Sequence, residues 1–199
     1  MILSDAAVQA ALVAIPSVPY NHDCVRRVDA RHLLTPNPLP LWAEGSRTQG
    51  ARYTPIGSVD TLYLAEDQYT AVAEASAPIT LPTLPAHAYV TQPVMEFTAR
   101  CVVHQVLDLT VAAHQTQLET NYQELTGFWR ELQDAGQTAP TQRLGGHVFQ
   151  SRRFQAIRFP SSKLRPRGVC IAIFVDLLAP GADLVEVIDP YGNIVSRIP

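Results

Sequence analysis

At 199 residues with 47% apolar content, the chain is long enough to bury one sizeable core, and no Gly/Ser-rich or charge-run linker divides it. No apolar run approaches the ~20 residues of a membrane span, since the longest, residues 169–175, is bounded by Gly168 and Asp176. A net charge of −3 argues against a dedicated nucleic-acid binder, and Asp5 stands where a secretory signal carries its basic flank, so one cytoplasmic domain over residues 1–199 is expected.

Ser4 is placed to cap a short helix whose apolar positions Ala7, Val8, Ala11, Leu12 and Ile15 follow helical spacing up to Pro16, making residues 1–20 a packing helix and lead-in. Residues 24–29 read as a strand whose alternation sends Arg26 and Arg27 to opposite faces, so that only one faces a pocket. Prolines 36, 38 and 40 make residues 33–47 an irregular connection anchored by Trp42. Residues 50–77 follow as a loop carrying Arg52, a turn at Pro55 and Gly57, a strand over 61–65, and a helix from about Asp67 that ends before Pro78. The periodicity of that helix puts Tyr69, Val72, Ala73 and Ser76 on the buried stripe, with Glu74 well off it.

Pro78, Pro82 and Pro85 impose an extended path before residues 94–103, where Met95, Phe97, Ala99, Cys101 and Val103 alternate as one face of a half-buried strand. Thr116 and Glu119 resemble a capping box opening one helix through Leu118, Tyr122, Leu125, Phe128, Trp129 and Leu132 to Gly136, its aromatic stripe read as core. Pro140 opens another helix carrying Leu144 and Val148, and residues 154–159 read as a strand stopped by Pro160. Residues 168–177 are apolar on both faces, the mark of a central strand, and residues 183–188 and 193–198 form a hairpin. Strands with helices inserted irregularly between them predict an α+β fold with mixed or antiparallel sheets.

The three cysteines, Cys24, Cys101 and Cys170, suggest neither a disulfide framework nor a metal site. Between Ala135 and Val175 there is no acid, while seven of the fifteen basic residues fall there, which reads either as a local anion site or as a basic face answering acids elsewhere. The phosphate loop, the dinucleotide fingerprint, the nucleophile elbow and HExxH are all absent. What remains is a dispersed set, Arg52, Tyr63, Glu74 and Ser161. Each has a plain reading too: a surface arginine, a core tyrosine, a solvated glutamate and a turn serine.

These residues resemble the RES-domain toxins of bacterial toxin–antitoxin modules. The resemblance rests on Gly50-Ala51-Arg52-Tyr53, Tyr63-Leu64-Ala65 and Ala71-Val72-Ala73-Glu74, followed in order by Leu107-Asp108-Leu109-Thr110, Thr141-Gln142-Arg143-Leu144-Gly145 and Phe159-Pro160-Ser161-Ser162. It covers roughly residues 25–176, with Ala51 and Thr54 departing from the common pattern. The family is similar in fold to mono-ADP-ribosyltransferases, and the resemblance implies NAD+ as substrate, cleaved between nicotinamide and ribose. Glu74 is then the carboxylate facing the developing oxocarbenium, Arg52 and Arg27 (preferred over Arg26) clamp the diphosphate, Tyr53 and Tyr63 contact the ligand, and the Ser161 hydroxyl orients substrate or attacking group. Phosphate or water is the favoured acceptor, a protein side chain the alternative, and a non-catalytic nucleotide- or protein-binding module the reading from another class. The resemblance further implies a helix-turn-helix antitoxin covering the pocket, contacting residues 135–175.

Overall fold

The computed structural model describes residues 3–34, 39–75 and 93–199. Pro36, Pro38, Ser76, Pro78, Pro82 and Pro85 lie outside them, as does the end of the helix that carries Glu74. The first helix, α1 (Asp5–Ala14), begins as expected, with Ser4 Oγ accepting the Ala7 N–H at 3.3 Å and Val8 and Leu12 buried. Among the described residues seven strands form one mixed sheet: β1 (Val18–Asp29), β2 (Thr61–Ala65), β3 (Val94–Asp108), β4 (Ala156–Pro160), β5 (Val169–Phe174), β6 (Leu184–Ile188) and β7 (Arg197–Ile198). Their order is β1-β2-β5-β4-β3-β6-β7, with β3 and β4 parallel and the other pairs antiparallel. The α+β class with a mixed sheet is therefore the architecture.

β1 also pairs with β3, so β1, β2, β5, β4 and β3 close into a ring. Strand alternation then makes two cores. Cys24, Leu62, Leu64, Cys101, Ile171 and Ile173 fill one side. On the other, Val25, Leu107, Ile157 and Phe174 meet α1 and the helix α7 described below. β5 sits between β2 and β4 with both faces buried, which is why its sequence shows no alternation. β1 and β2 are paired only at Val25↔Ala65.

The short helices are α2 (Glu44–Gln49) and α3 (Gln68–Ala75), then α4 (Ala112–Gln117), α5 (Tyr122–Leu125), α6 (Trp129–Asp134) and α7 (Pro140–Ser151). The single helix expected across residues 116–136 is thus three. Thr116 Oγ1 bonds back to the Ala112 carbonyl rather than capping, Glu119 adopts a left-handed φ of 46°, and Asn121 Oδ1 starts α5 afresh by accepting the Glu124 N–H at 3.0 Å. Its apolar stripe is not uniformly core: Leu118 and Leu125 are buried, but the aromatic Phe128 is 74% exposed.

Away from the site, the ends of β3, β4 and β6 converge on the buried carboxylate of Asp183. Its Oδ1 accepts the His104 N–H at 3.0 Å and faces His104 Nδ1 at 2.9 Å, while Oδ2 accepts from the Ala179 N–H at 2.7 Å and from Gln155 Nε2. Among the described residues no helix is long and apolar enough to cross a membrane.

Candidate active site

The turn that carries Arg52 is built from below. Gly50 takes a φ of +73°, a conformation glycine adopts without strain, and Ala51 and Thr54 bridge each other through N–H···O bonds of 2.8 and 3.1 Å. From β2, Tyr63 Oη accepts the Tyr53 N–H at 2.9 Å and pairs with Thr54 Oγ1 at 3.0 Å. From α7, Gln142 Nε2 donates to the Ala51 carbonyl at 3.2 Å, and Gly145 lies directly against Tyr53. A Cβ at Gly145 would stand 1.9 Å from the Tyr53 carbonyl oxygen, so helix and turn must part to admit one. Gly145→Ala is expected to cost roughly 3 kcal/mol, measured by thermal melting; an unchanged melting temperature would show that α7 does not brace the turn.

Arg52 is thereby directed inward. It is 9% exposed, and its Nη1 donates to the carbonyls of Leu125 (2.8 Å) and Gly127 (2.9 Å), with no carboxylate pairing to it among the described residues. Tyr63 is half-buried, its hydroxyl committed to the turn, and burial pushes its pKa up to about 12. Its ring, edge-on to Phe159 at 6.4 Å, is what it offers a ligand.

Glu74 departs from its expected orientation. The small residues Thr70 and Ala71 form the buried face of α3, while Tyr69 is 79% exposed and Val72 also points outward. Glu74 follows Thr70 and Ala71 by four and three positions and so lies on the inward side. Packing against the strands favours the small side chains here, where hydrophobicity alone favoured Tyr69 and Val72. Glu74 Oε1 sits among donors: Ser161 Oγ at 2.5 Å, Ser162 N–H at 3.0 Å and Lys163 N–H at 3.3 Å. Oε2 makes no hydrogen bond among the described residues.

One cavity of about 870 Å³ is lined by Arg27, Arg52, Tyr63 and Glu74 together, closed below by Phe159 and flanked by Ser162 and Lys163. The four residues named from the sequence thus meet at the end of β4, although two companions do not reach the space. The Tyr53 ring is wholly buried against Phe159 at 4.7 Å, because the turn folds it under α7, and it does not line the cavity. Ser161 is also wholly buried. Its Oγ donates to Glu74 and accepts the N–H groups of Lys163 (3.1 Å) and Leu164 (3.0 Å), so the hydroxyl is committed to the carboxylate and the loop.

Arg26 and Arg27 both border the cavity, contrary to strict alternation. Arg26 donates from Nη2 to the Trp42 carbonyl at 2.6 Å, its Nη1 has no partner among the described residues, and burial lowers its pKa to about 10. Arg27 stands on the Val25 face, 3.6 Å from Glu96 across on β3. The acid-free stretch is divided in use. Arg143 binds Asp5, and Arg158 bridges Glu66 and Asp108, whereas Lys163 and Arg165 line the cavity. Sequence reasoning missed the cavity-lining role of Phe128 and Trp129, and of the carboxylates Glu131 and Asp134; only the interruptions at Asn121 and Gly127 signalled that this region is no continuous helix. No group of three His, Cys, Asp or Glu among the described residues is placed to hold a metal ion.

Comparison with known proteins bears on the fold and the family. A chain of the solved M. tuberculosis MbcT-MbcA toxin-antitoxin complex is similar in fold, with a TM-score of 0.63 and 18% identity, covering 92% of this chain and 90% of that one. No curated protein matches in sequence. The family model of the RES domain matches residues 25–195, a span that contains every cavity residue described above, and the chain belongs to the RES-domain family.

Proposed function

We propose that the protein is the toxin of a toxin–antitoxin module and cleaves NAD+ at the nicotinamide–ribose bond, passing ADP-ribose to phosphate or water. The observation that carries the reading is the Glu74 carboxylate, one oxygen anchored by Ser161 and the loop N–H groups, the other without a hydrogen bond among the described residues, in the same cavity as Arg52, Arg27 and the Tyr63 ring. As the C1′–N bond breaks, its electron pair neutralises the pyridinium and positive charge develops at C1′. A fixed carboxylate stabilises that charge or holds the 2′-hydroxyl. Arg52 and Arg27 match the diphosphate, and the Tyr63 ring faces the leaving nicotinamide. A phosphate or water oxygen then bonds to C1′ and gives up its proton. NAD+ enters as substrate, with no metal in the scheme.

A second reading, transfer to a protein side chain through the same first step, is favoured by Glu131 and Asp134 on the cavity wall, which offer carboxylates to a cationic acceptor. Incubating the purified chain with NAD+, with and without phosphate and with cell lysate, tests both. Nicotinamide release with ADP-ribose or its 1′-phosphate supports the first reading, and ADP-ribosylated protein the second. Intact NAD+ throughout would remove the enzyme reading and leave a binding module. The fold shared with a chain of a toxin–antitoxin complex supports an antitoxin partner; a helix-turn-helix antitoxin over the cavity mouth remains part of the proposal.

A further inference from the structure

The wall opposite the carboxylate is assembled with unusual care. Arg52 Nη1 holds the Leu125 and Gly127 carbonyls, and Arg165 Nη2 holds the Thr126 carbonyl between them at 2.9 Å. Gln133, on the same wall, donates to the Gln49 carbonyl at 3.1 Å and accepts from Gln142 Nε2 at 2.8 Å. The segment so fixed delivers two aromatic rings that the core does not use. Phe128 lines the cavity while 74% exposed, and Trp129 lines it with the Arg130 guanidinium 4.5 Å from its ring centroid. Aromatic rings held at the mouth of a cavity by guanidinium–carbonyl bonds are suited to a planar, electron-rich ligand ring.

We propose that Phe128 and Trp129 form the stacking subsite for the adenine ring of the dinucleotide. The inference rests on the NAD+ reading above and names where its second base goes. Hydrogen bonds run from Glu74 to Ser162 and Lys163, and from Arg165 in the same loop to Thr126, beside Gly127 on Arg52. Arg165 therefore ties the loop that holds the carboxylate to the segment that carries the aromatic pair, and Arg27 and Arg52 line the same cavity; in the proposal the diphosphate lies on these guanidinium groups, between the nicotinamide ribose at Glu74 and the adenine at the aromatic pair.

The test compares NAD+ with nicotinamide mononucleotide, which has the same scissile bond and no adenosine. Phe128→Ala, at an exposed position, is expected to lower kcat/KM for NAD+ about tenfold more than for the mononucleotide, the difference lying in KM. Equal losses on the two substrates, or none on either, would overturn the subsite. Adenosine monophosphate binding, followed by quenching of Trp129 fluorescence and its disappearance in Trp129→Phe, is read without turnover. Quenching supports the subsite even if wild-type protein leaves NAD+ intact, and its absence at millimolar ligand counts against it.

Discussion

Replacing Glu74 by Gln is expected to lower kcat for nicotinamide release by about three orders of magnitude with the melting temperature nearly unchanged. The two effects separate because of how the carboxylate is held. Ser161 Oγ and the Ser162 and Lys163 N–H groups all donate to Oε1. A glutamine carbonyl accepts those same bonds, leaving its amide nitrogen at the unengaged position. What disappears is the negative charge opposite the developing cation, which acts only as the bond breaks. A Glu74→Gln protein that releases nicotinamide at the wild-type rate would exclude Glu74 from the chemistry.

Asp183→Asn is the counterpart with the largest expected effect on stability, about 3–5 kcal/mol, at the other end of β4 from the site. Both carboxylate oxygens accept backbone N–H bonds, Oδ1 from His104 and Oδ2 from Ala179. Either orientation of an amide therefore sets an NH2 donor against a main-chain donor, so even this isosteric change leaves buried groups unpaired. For a chain of this size the loss corresponds to a fall in melting temperature of roughly 6–20 °C. A fall of less than about 2 °C would mean that Asp183 does not tie the strand ends as the hydrogen bonds indicate.

How much of this was legible in the sequence depends on the range over which each signal acts. Local signals held: the Ser4 cap, the strand of residues 61–65, the doubly apolar β5 and the α7 start at Pro140. Glu74 read as solvated because helical periodicity follows hydrophobicity, whereas α3 packs through Thr70 and Ala71. The long helix failed at Asn121 and Gly127, where side-chain capping and two arginines drawn from distant segments outweigh a continuing apolar repeat. Tyr53 and Ser161 were named from the sequence as ligand contacts, but both are buried away from the cavity lining, Tyr53 under α7 and Ser161 against the turn closed by Gly168. Ring closure by β1 was invisible, since no local pattern reports that one strand has two partners.

That closure also bears on how the protein behaves in a crowded solution. Open sheet edges invite pairing with other chains. Among the described residues the sheet ends outward at β7, only two residues long, bearing Arg197 and followed by Pro199, which has no N–H to donate. Another main-chain stretch without a strand partner among the described residues is the β2-facing side of β1 past Val25, at Arg26 and the cavity. Edge-to-edge aggregation at β7 is therefore disfavoured, and a polypeptide seeking to extend the sheet along β1 meets the cavity.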